Sequence, residues 1–246
     1  MKKWIKKILI VLAVLVVIAG AGSYIYLADY YHANDTAINC IKKDDSDKYT
    51  VTYEPSEILA YEPAEITADT IGLIFYPGAK VEFTAYAPLL QRLAQEGIAC
   101  YDVHMPGNMA ILDLSAADDI VAAHTEISRW YIAGHSLGGA SAAMYLQDTD
   151  TDFEGLIFLA AFSSVDLTDK DIRVLSIYGE NDQVLDQEKY QEYKSNLPDD
   201  VTEYIIPGGC HAYFGDYGQQ KGDGEPAITP AQQQEITAQQ IMQWIL

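Results

Sequence analysis

The first chemical signal lies in five residues. Gly134-His135-Ser136-Leu137-Gly138 fits G-x-S-x-G, a spacing that sets a serine on a tight strand-to-helix turn with its hydroxyl above a sheet. Glycines flank the serine because a side chain there would clash within so sharp a turn. The surrounding pattern supplies the required context. Arg129 to Ala133 reads as a strand, and a helix opening with small residues (Gly138, Gly139, Ala140) runs on to Gln147. A serine hydroxyl is a weak nucleophile until a base takes its proton. Of the five histidines, only His211 follows the serine, in the loop Pro207-Gly208-Gly209-Cys210-His211. His32 precedes the domain, His104 ends a strand, His124 ends a helix, and His135 adjoins Ser136 and is expected to point elsewhere. An acid that orients the histidine is expected after the penultimate strand, where Gly179-Glu180-Asn181-Asp182 follows Val174 to Tyr178. Asp182 is the first choice, and Glu180 on the same loop is its rival. Such a set would let Ser136 attack a carbonyl carbon while His211 carries the proton.

A tetrahedral intermediate needs hydrogen-bond donors for its oxyanion. The backbone N–H of Leu137 is one candidate, and the loop Pro77-Gly78-Ala79-Lys80 offers the other. Ala79 is the expected donor, because Pro77 lacks an N–H and Gly78 makes the turn. Lys80, Tyr213 and Phe214 are candidate substrate contacts, with the segment 105–112 as a further wall. Cys40, Cys100 and Cys210 show no metal-ligand spacing, so neither a metal nor an organic cofactor is called for. Cys210 beside His211 reads as a bystander.

These residues need a frame. Ile71 to Tyr76, Ile98 to His104, Arg129 to Ala133, Gly155 to Ala161, Arg173 to Tyr178 and Val201 to Ile206 read as strands. Tyr49 to Tyr53 reads as an earlier, partly exposed strand. Helical patterns fall over 85–96 with Thr84 as cap, over 115–124 with Ser115 as cap, and from Thr229-Pro230 onward. Strands alternating with helices imply an α/β architecture, a mostly parallel sheet covered by helices on both faces. About 45 residues separate Ser136 from Asp182, and a helix and two strands use them, so no large lid is expected.

From Ile71 to the C-terminus the chain resembles the α/β-hydrolase superfamily, and within it a compact subgroup related to dienelactone-hydrolase-like esterases. The resemblance rests on Tyr76-Pro77-Gly78-Ala79-Lys80-Val81, Gly134 to Gly139, Tyr178 to Asp182, and Gly208 to His211 continuing through Phe214 to Gly218. It implies Ser136 as nucleophile, Asp182 as acid and His211 as base. Dienelactone hydrolases proper are expected to use cysteine where this chain has serine, and similar sequences often have asparagine where Cys210 stands. The reading is a serine hydrolase of carboxylic ester-like bonds in a small molecule. An acyltransferase or thioesterase acting on envelope components is the alternative within that chemistry. A non-catalytic binding protein retaining the fold is the alternative outside it, and the intact triad speaks against it.

The N-terminus is an address. Four lysines precede an uncharged apolar run from Ile8 to Leu27, long enough to cross a bilayer. The lysines belong on the cytoplasmic side, so the rest of the chain is expected outside it. The expected organisation is a signal anchor over 1–27, a polar spacer over 28–48 and the hydrolase domain over 49–246. Cleavage at Ala19-Gly20-Ala21, giving a secreted protein, is the competing expectation. Beyond those lysines the chain carries 11 Lys and Arg against 36 Asp and Glu. That balance argues against nucleic acid, whose phosphates need a basic surface. No pattern specifies an oligomeric state.

Overall fold

The structure, a computed structural model, describes residues 3–42, 48–54 and 58–246. The chain divides into two units, Met1–Tyr30 and Tyr31–Leu246. The first is built on helix α1 (Lys3–Ala28), whose stretch Lys7–Ala28 is 22 residues with a mean hydropathy of 2.7. At 1.5 Å per residue that stretch reaches about 33 Å, long enough to span a membrane. A signal sequence passes the same test of length and composition.

The second unit holds one eight-stranded sheet: β1 (Tyr49–Glu54), β2 (Ile58–Pro63), β3 (Ile71–Tyr76), β4 (Ala99–Val103), β5 (Arg129–His135), β6 (Gly155–Leu159), β7 (Arg173–Gly179) and β8 (Val201–Ile206). The order is β1-β2-β4-β3-β5-β6-β7-β8. β1, β2 and β4 pair antiparallel, and every pairing from β4 through to β8 is parallel. The apolar runs of β3, β4 and β6 are buried along their whole length, as strands covered on both faces must be.

Alternate residues feed two cores. Leu73, Phe75, Tyr131, Ala133, Ile157 and Leu159 face one side, with α3 (Ala87–Gln95) and α7 (Pro230–Ile245). Ile74, Tyr76, Ile132, Leu156 and Phe158 face the other, with α4 (Ala116–Ala123) and α5 (Leu137–Asp148). Period-two alternation within apolar strands thus serves both layers. The helix α6 (Gln187–Glu192) lies between β7 and β8.

Several local expectations differ from what forms. β2 has no counterpart in the sequence reading. Thr84 does not cap a helix: Phe83–Tyr86 is a 3₁₀ turn, α3 starts only at Ala87, and Thr84 Oγ1 donates to Glu82 Oε1. Ser115 precedes α4 without a side-chain cap bond. Thr229, in contrast, forms a full capping box with Gln232, and Pro230 opens the helix. The stretch expected as a spacer is partly built into the body. Tyr31 onward belongs to the second unit, and residues 35–42 form helix α2 (Asp35–Lys42), with Ala37 wholly buried.

Asp102 in β4 is fully buried, and neither carboxylate oxygen has a hydrogen-bond partner among the described residues. Burial holds this carboxyl well above the usual carboxylate range, so it keeps its proton in the folded chain. The unfolded chain releases that proton in the ordinary range. Stability tied to the neutral form is therefore complete below the ordinary range and lost as pH rises toward the folded value, at up to about 1.4 kcal/mol per pH unit. Asp102→Asn removes this loss. Urea unfolding is expected to show the variant more stable than the wild type at pH 8, the gain shrinking toward pH 4. A gain equal at both pH values would rule out the carboxyl as its source.

Candidate active site

Four non-glycine residues among those described have positive φ: Lys80, Asn108, Ser136 and Ala160. They follow β3, β4 and β6 or, for Ser136, end the β5 turn, so all four lie at the carboxyl ends of parallel strands. Backbone strain of this kind costs of order 1–3 kcal/mol per residue and gathers where function needs fixed geometry.

Ser136 has φ 52° and ψ −120°, between β5 and α5, and its N–H donates to the Leu159 carbonyl at 2.9 Å. The glycine spacing has a direct steric cause here. A Cβ on Gly134 would stand 2.4 Å from the Gly138 carbonyl carbon, and one on Gly138 would stand 2.1 Å from the Tyr76 oxygen. Any other residue would push the turn open and move the serine.

His211 follows β8 and Asp182 follows β7. His211 Nδ1 lies 2.9 Å from Asp182 Oδ2, with both side chains essentially inaccessible to solvent. The other carboxylate oxygen, Oδ1, accepts from the N–H groups of Val184 and Leu185, each at 2.8 Å. Glu180 takes a different direction: its Oε2 accepts from the Gly208 N–H at 2.9 Å. The structure therefore brings Asp182, and not Glu180, to the imidazole. With Nδ1 committed to Asp182, His211 Nε2 is buried and has no hydrogen-bond partner among the described residues.

Ser136 and His211 line one cavity of about 310 Å³. Its walls are Leu137, Ala140, Ala160, Ala161, Phe162, Val184 and Leu185, with Asp186 and Lys189 also contributing. Apart from Ser136, His211 and those last two the lining is apolar, as ligand pockets usually are. Lys80, Tyr213 and Phe214 do not line it. Phe214 is wholly buried with its ring tilted against that of His135, Tyr213 is partly buried against the core, and Lys80 lies in the loop after β3 with its carbonyl bonded to Tyr31 N–H. Segment 105–112 lies outside this cavity as well, with the Asn108 carbonyl accepting from Lys80 N–H at 2.7 Å.

Neither Leu137 N–H nor Ala79 N–H donates to a backbone carbonyl among the described residues outside the regular elements. The neighbours of Ala79 are all committed. Gly78 N–H donates to Tyr86 Oη at 3.0 Å, and the Gly78 carbonyl accepts from Val81 N–H at 3.2 Å.

The sequence reading missed three groups around the site. Tyr86 Oη also lies 2.8 Å from His135 Nδ1. His135 does not point away: its ring centroid is 4.6 Å from that of His211. Burial first, and the His211 ring second, hold His135 well below its ordinary range, so it is neutral and can accept the tyrosine's proton on Nδ1. Asp223 braces the histidine loop, accepting from the N–H groups of His211 at 3.1 Å and Ala212 at 2.9 Å. Its position within Gly222-Asp223-Gly224 carries no sequence signal for that role. Cys210 is buried, and burial followed by the charge of Asp223 pushes its thiol up to about 12. It is protonated at neutral pH and does not compete as a nucleophile.

A profile described as "Alpha/beta hydrolase family" matches residues 72–235. No curated protein matches the sequence. Among solved structures, carboxyl esterase 2 from the mycorrhizal fungus Tuber melanosporum is similar at a TM-score of 0.60 and 11% identity, covering 87% of this chain and 89% of that one. Est1E from Butyrivibrio proteoclasticus is similar at a TM-score of 0.54 and 16% identity, covering 80% of this chain and 98% of that one. A serine hydrolase without a lid from Xanthomonas campestris gives 0.53 and 14%, covering 80% of this chain and 95% of that one. At these identities the likeness concerns the fold.

Proposed function

Because the chain belongs to the alpha/beta hydrolase family, we propose that it is a serine hydrolase cleaving carboxylic ester-like bonds in small molecules. One observation carries the reading: His211 has Nδ1 held by Asp182 and Nε2 without a hydrogen-bond partner among the described residues, and it lines a cavity that Ser136 also lines. That is the arrangement a general base needs toward a serine hydroxyl.

In the proposed reaction Ser136 Oγ attacks the carbonyl carbon as His211 Nε2 takes its proton. The oxyanion is held by the N–H groups of Leu137 and Ala79. The bond to the leaving alkoxide breaks as Nε2 returns the proton to it, leaving an acyl-serine. Water then attacks this ester, gives its proton to Nε2, and the acid departs as Ser136 is reprotonated. Asp182 keeps the imidazole in the required tautomer and stabilises its charged form. The small apolar cavity suits a short acyl group. The lysine cluster ahead of the apolar run that begins at Ile8 favours a domain anchored outside the cytoplasm.

The test uses the full chain in detergent, with a fluorophosphonate probe and p-nitrophenyl acetate and butyrate. Labelling at Ser136 together with ester turnover is expected. A folded protein that takes up no probe overturns the reading.

A further inference from the structure

The first residues of the second unit bond to two loops that carry candidate site residues. Tyr31 N–H donates to the Lys80 carbonyl at 2.7 Å, and Glu82 N–H donates to the Tyr31 carbonyl at 2.9 Å. Together they make a parallel bridge between Tyr31 and Val81. Ala33 N–H donates to Glu82 Oε2 at 3.1 Å. Asn34 then spans to the other loop: its N–H donates to the Asp216 carbonyl at 2.8 Å and its Nδ2 to Asp216 Oδ1 at 2.7 Å. The Tyr31 ring packs on Tyr217 at 5.5 Å between centroids, and Tyr31 Oη accepts from Lys221 N–H at 3.2 Å.

Four residues thus fasten two loops at once, the one holding Ala79 and the one that continues from His211. Lys80 shows what this fastening does. Its φ of 57° is disfavoured for a residue with a side chain. Such strain persists only where the surroundings over-determine it. Here its N–H is held by Asn108 and its carbonyl by Tyr31, one bond on each side of the strained residue. Without the Tyr31 bond the Lys80–Val81 peptide loses a restraint, and that peptide carries the Val81 N–H whose bond to the Gly78 carbonyl orients the peptide plane holding the Ala79 N–H.

We propose that Tyr31–Asn34 is a positioning strap that keeps the Ala79 N–H aimed at the developing oxyanion. The proposal rests on the serine hydrolase reading. It makes the segment nearest the apolar helix a working part of the site. A chain cut after Ala21 keeps the strap whole, so the anchored and cleaved forms are expected to be equally active. Displacement of residues 31–34 disables both.

The test compares Tyr31→Pro, which lacks the N–H to Lys80, with Tyr31→Ala, which loses only the ring, and with Asn34→Ala at the far end. Activity is expressed per site titrated by fluorophosphonate. Losing an oxyanion donor outright costs about 10²–10³ in kcat, so a misaimed one is expected to cost at least tenfold. Tyr31→Pro should therefore lose about tenfold or more in kcat against Tyr31→Ala, with KM within twofold. Affinity for a trifluoromethyl ketone, which forms a charged tetrahedral adduct, should fall in step with kcat. Asn34→Ala should show the same pattern in weaker form and keeps the test open should Tyr31→Pro not fold. Variants with lowered Tm but unchanged kcat per titrated site and unchanged ketone affinity would overturn the strap. An unlabelled wild type would instead bring down the hydrolase reading, and the strap with it.

Discussion

Ser136→Ala is expected to lower kcat on p-nitrophenyl butyrate by a factor on the order of 10⁶ and to abolish fluorophosphonate labelling. The size follows from losing the two-step route altogether. Without the hydroxyl no acyl-enzyme forms, and only binding and oxyanion stabilisation of direct water attack remain, worth about 10³–10⁴ over the uncatalysed reaction. The substitution keeps a Cβ, so the left-handed turn at φ 52° stays as strained as before, and Ser136 N–H still donates to Leu159. Tm is therefore expected to stay within about 2 °C of the wild type, as for a change that alters neither packing nor a buried polar contact. Residual turnover within tenfold of the wild type would move the nucleophile elsewhere. Cys210 would not be the successor, since its thiol is buried and protonated at neutral pH.

The parts of this site that were legible in the sequence are those whose constraints are local. Gly134, Ser136 and Gly138 are bound by a steric rule acting within five residues, and the 2.1 Å and 2.4 Å clashes at the glycine positions are its physical form. β3 and β6 are apolar throughout, and β4 is apolar but for Asp102, because both faces are covered, and such runs stand out in any window. β2 did not stand out. It ends in Glu62 and Pro63, residue types depleted in strands, and its pairing with β1 and β4 is set by tertiary contacts. The strap failed for a related reason. Tyr31-His32-Ala33-Asn34 has no hydrophobic period, and its partners are some 50 and 180 residues away. The cavity wall is hidden likewise: Ala140, Phe162 and Val184 converge from three different connections and share no motif.

The choice between Asp182 and Glu180 was open in the sequence because both lie on one loop, and the hydrogen bonds around them yield a sharp prediction. Asp182→Asn is expected to lower kcat about 10⁴-fold with little change in KM. In the native site Oδ1 accepts from two backbone N–H groups, those of Val184 and Leu185. An asparagine must keep its oxygen at that position, since an NH₂ group there would face two donors. Its nitrogen then faces His211 Nδ1 and donates to it. The imidazole is forced to carry its hydrogen on Nε2, where it cannot accept the serine proton. The side chain keeps its volume and its backbone contacts, so the loss belongs to the tautomer and not to packing. Glu180→Gln provides the contrast. Its carboxylate accepts from Gly208 N–H and an amide oxygen can do the same, so kcat is expected to stay within about threefold. Both variants are measured per folded molecule on the same ester. A Glu180→Gln loss as large as that of Asp182→Asn would remove Asp182 from the acid's role. The predicted asymmetry between two carboxylates two residues apart depends on which backbone amides each one meets.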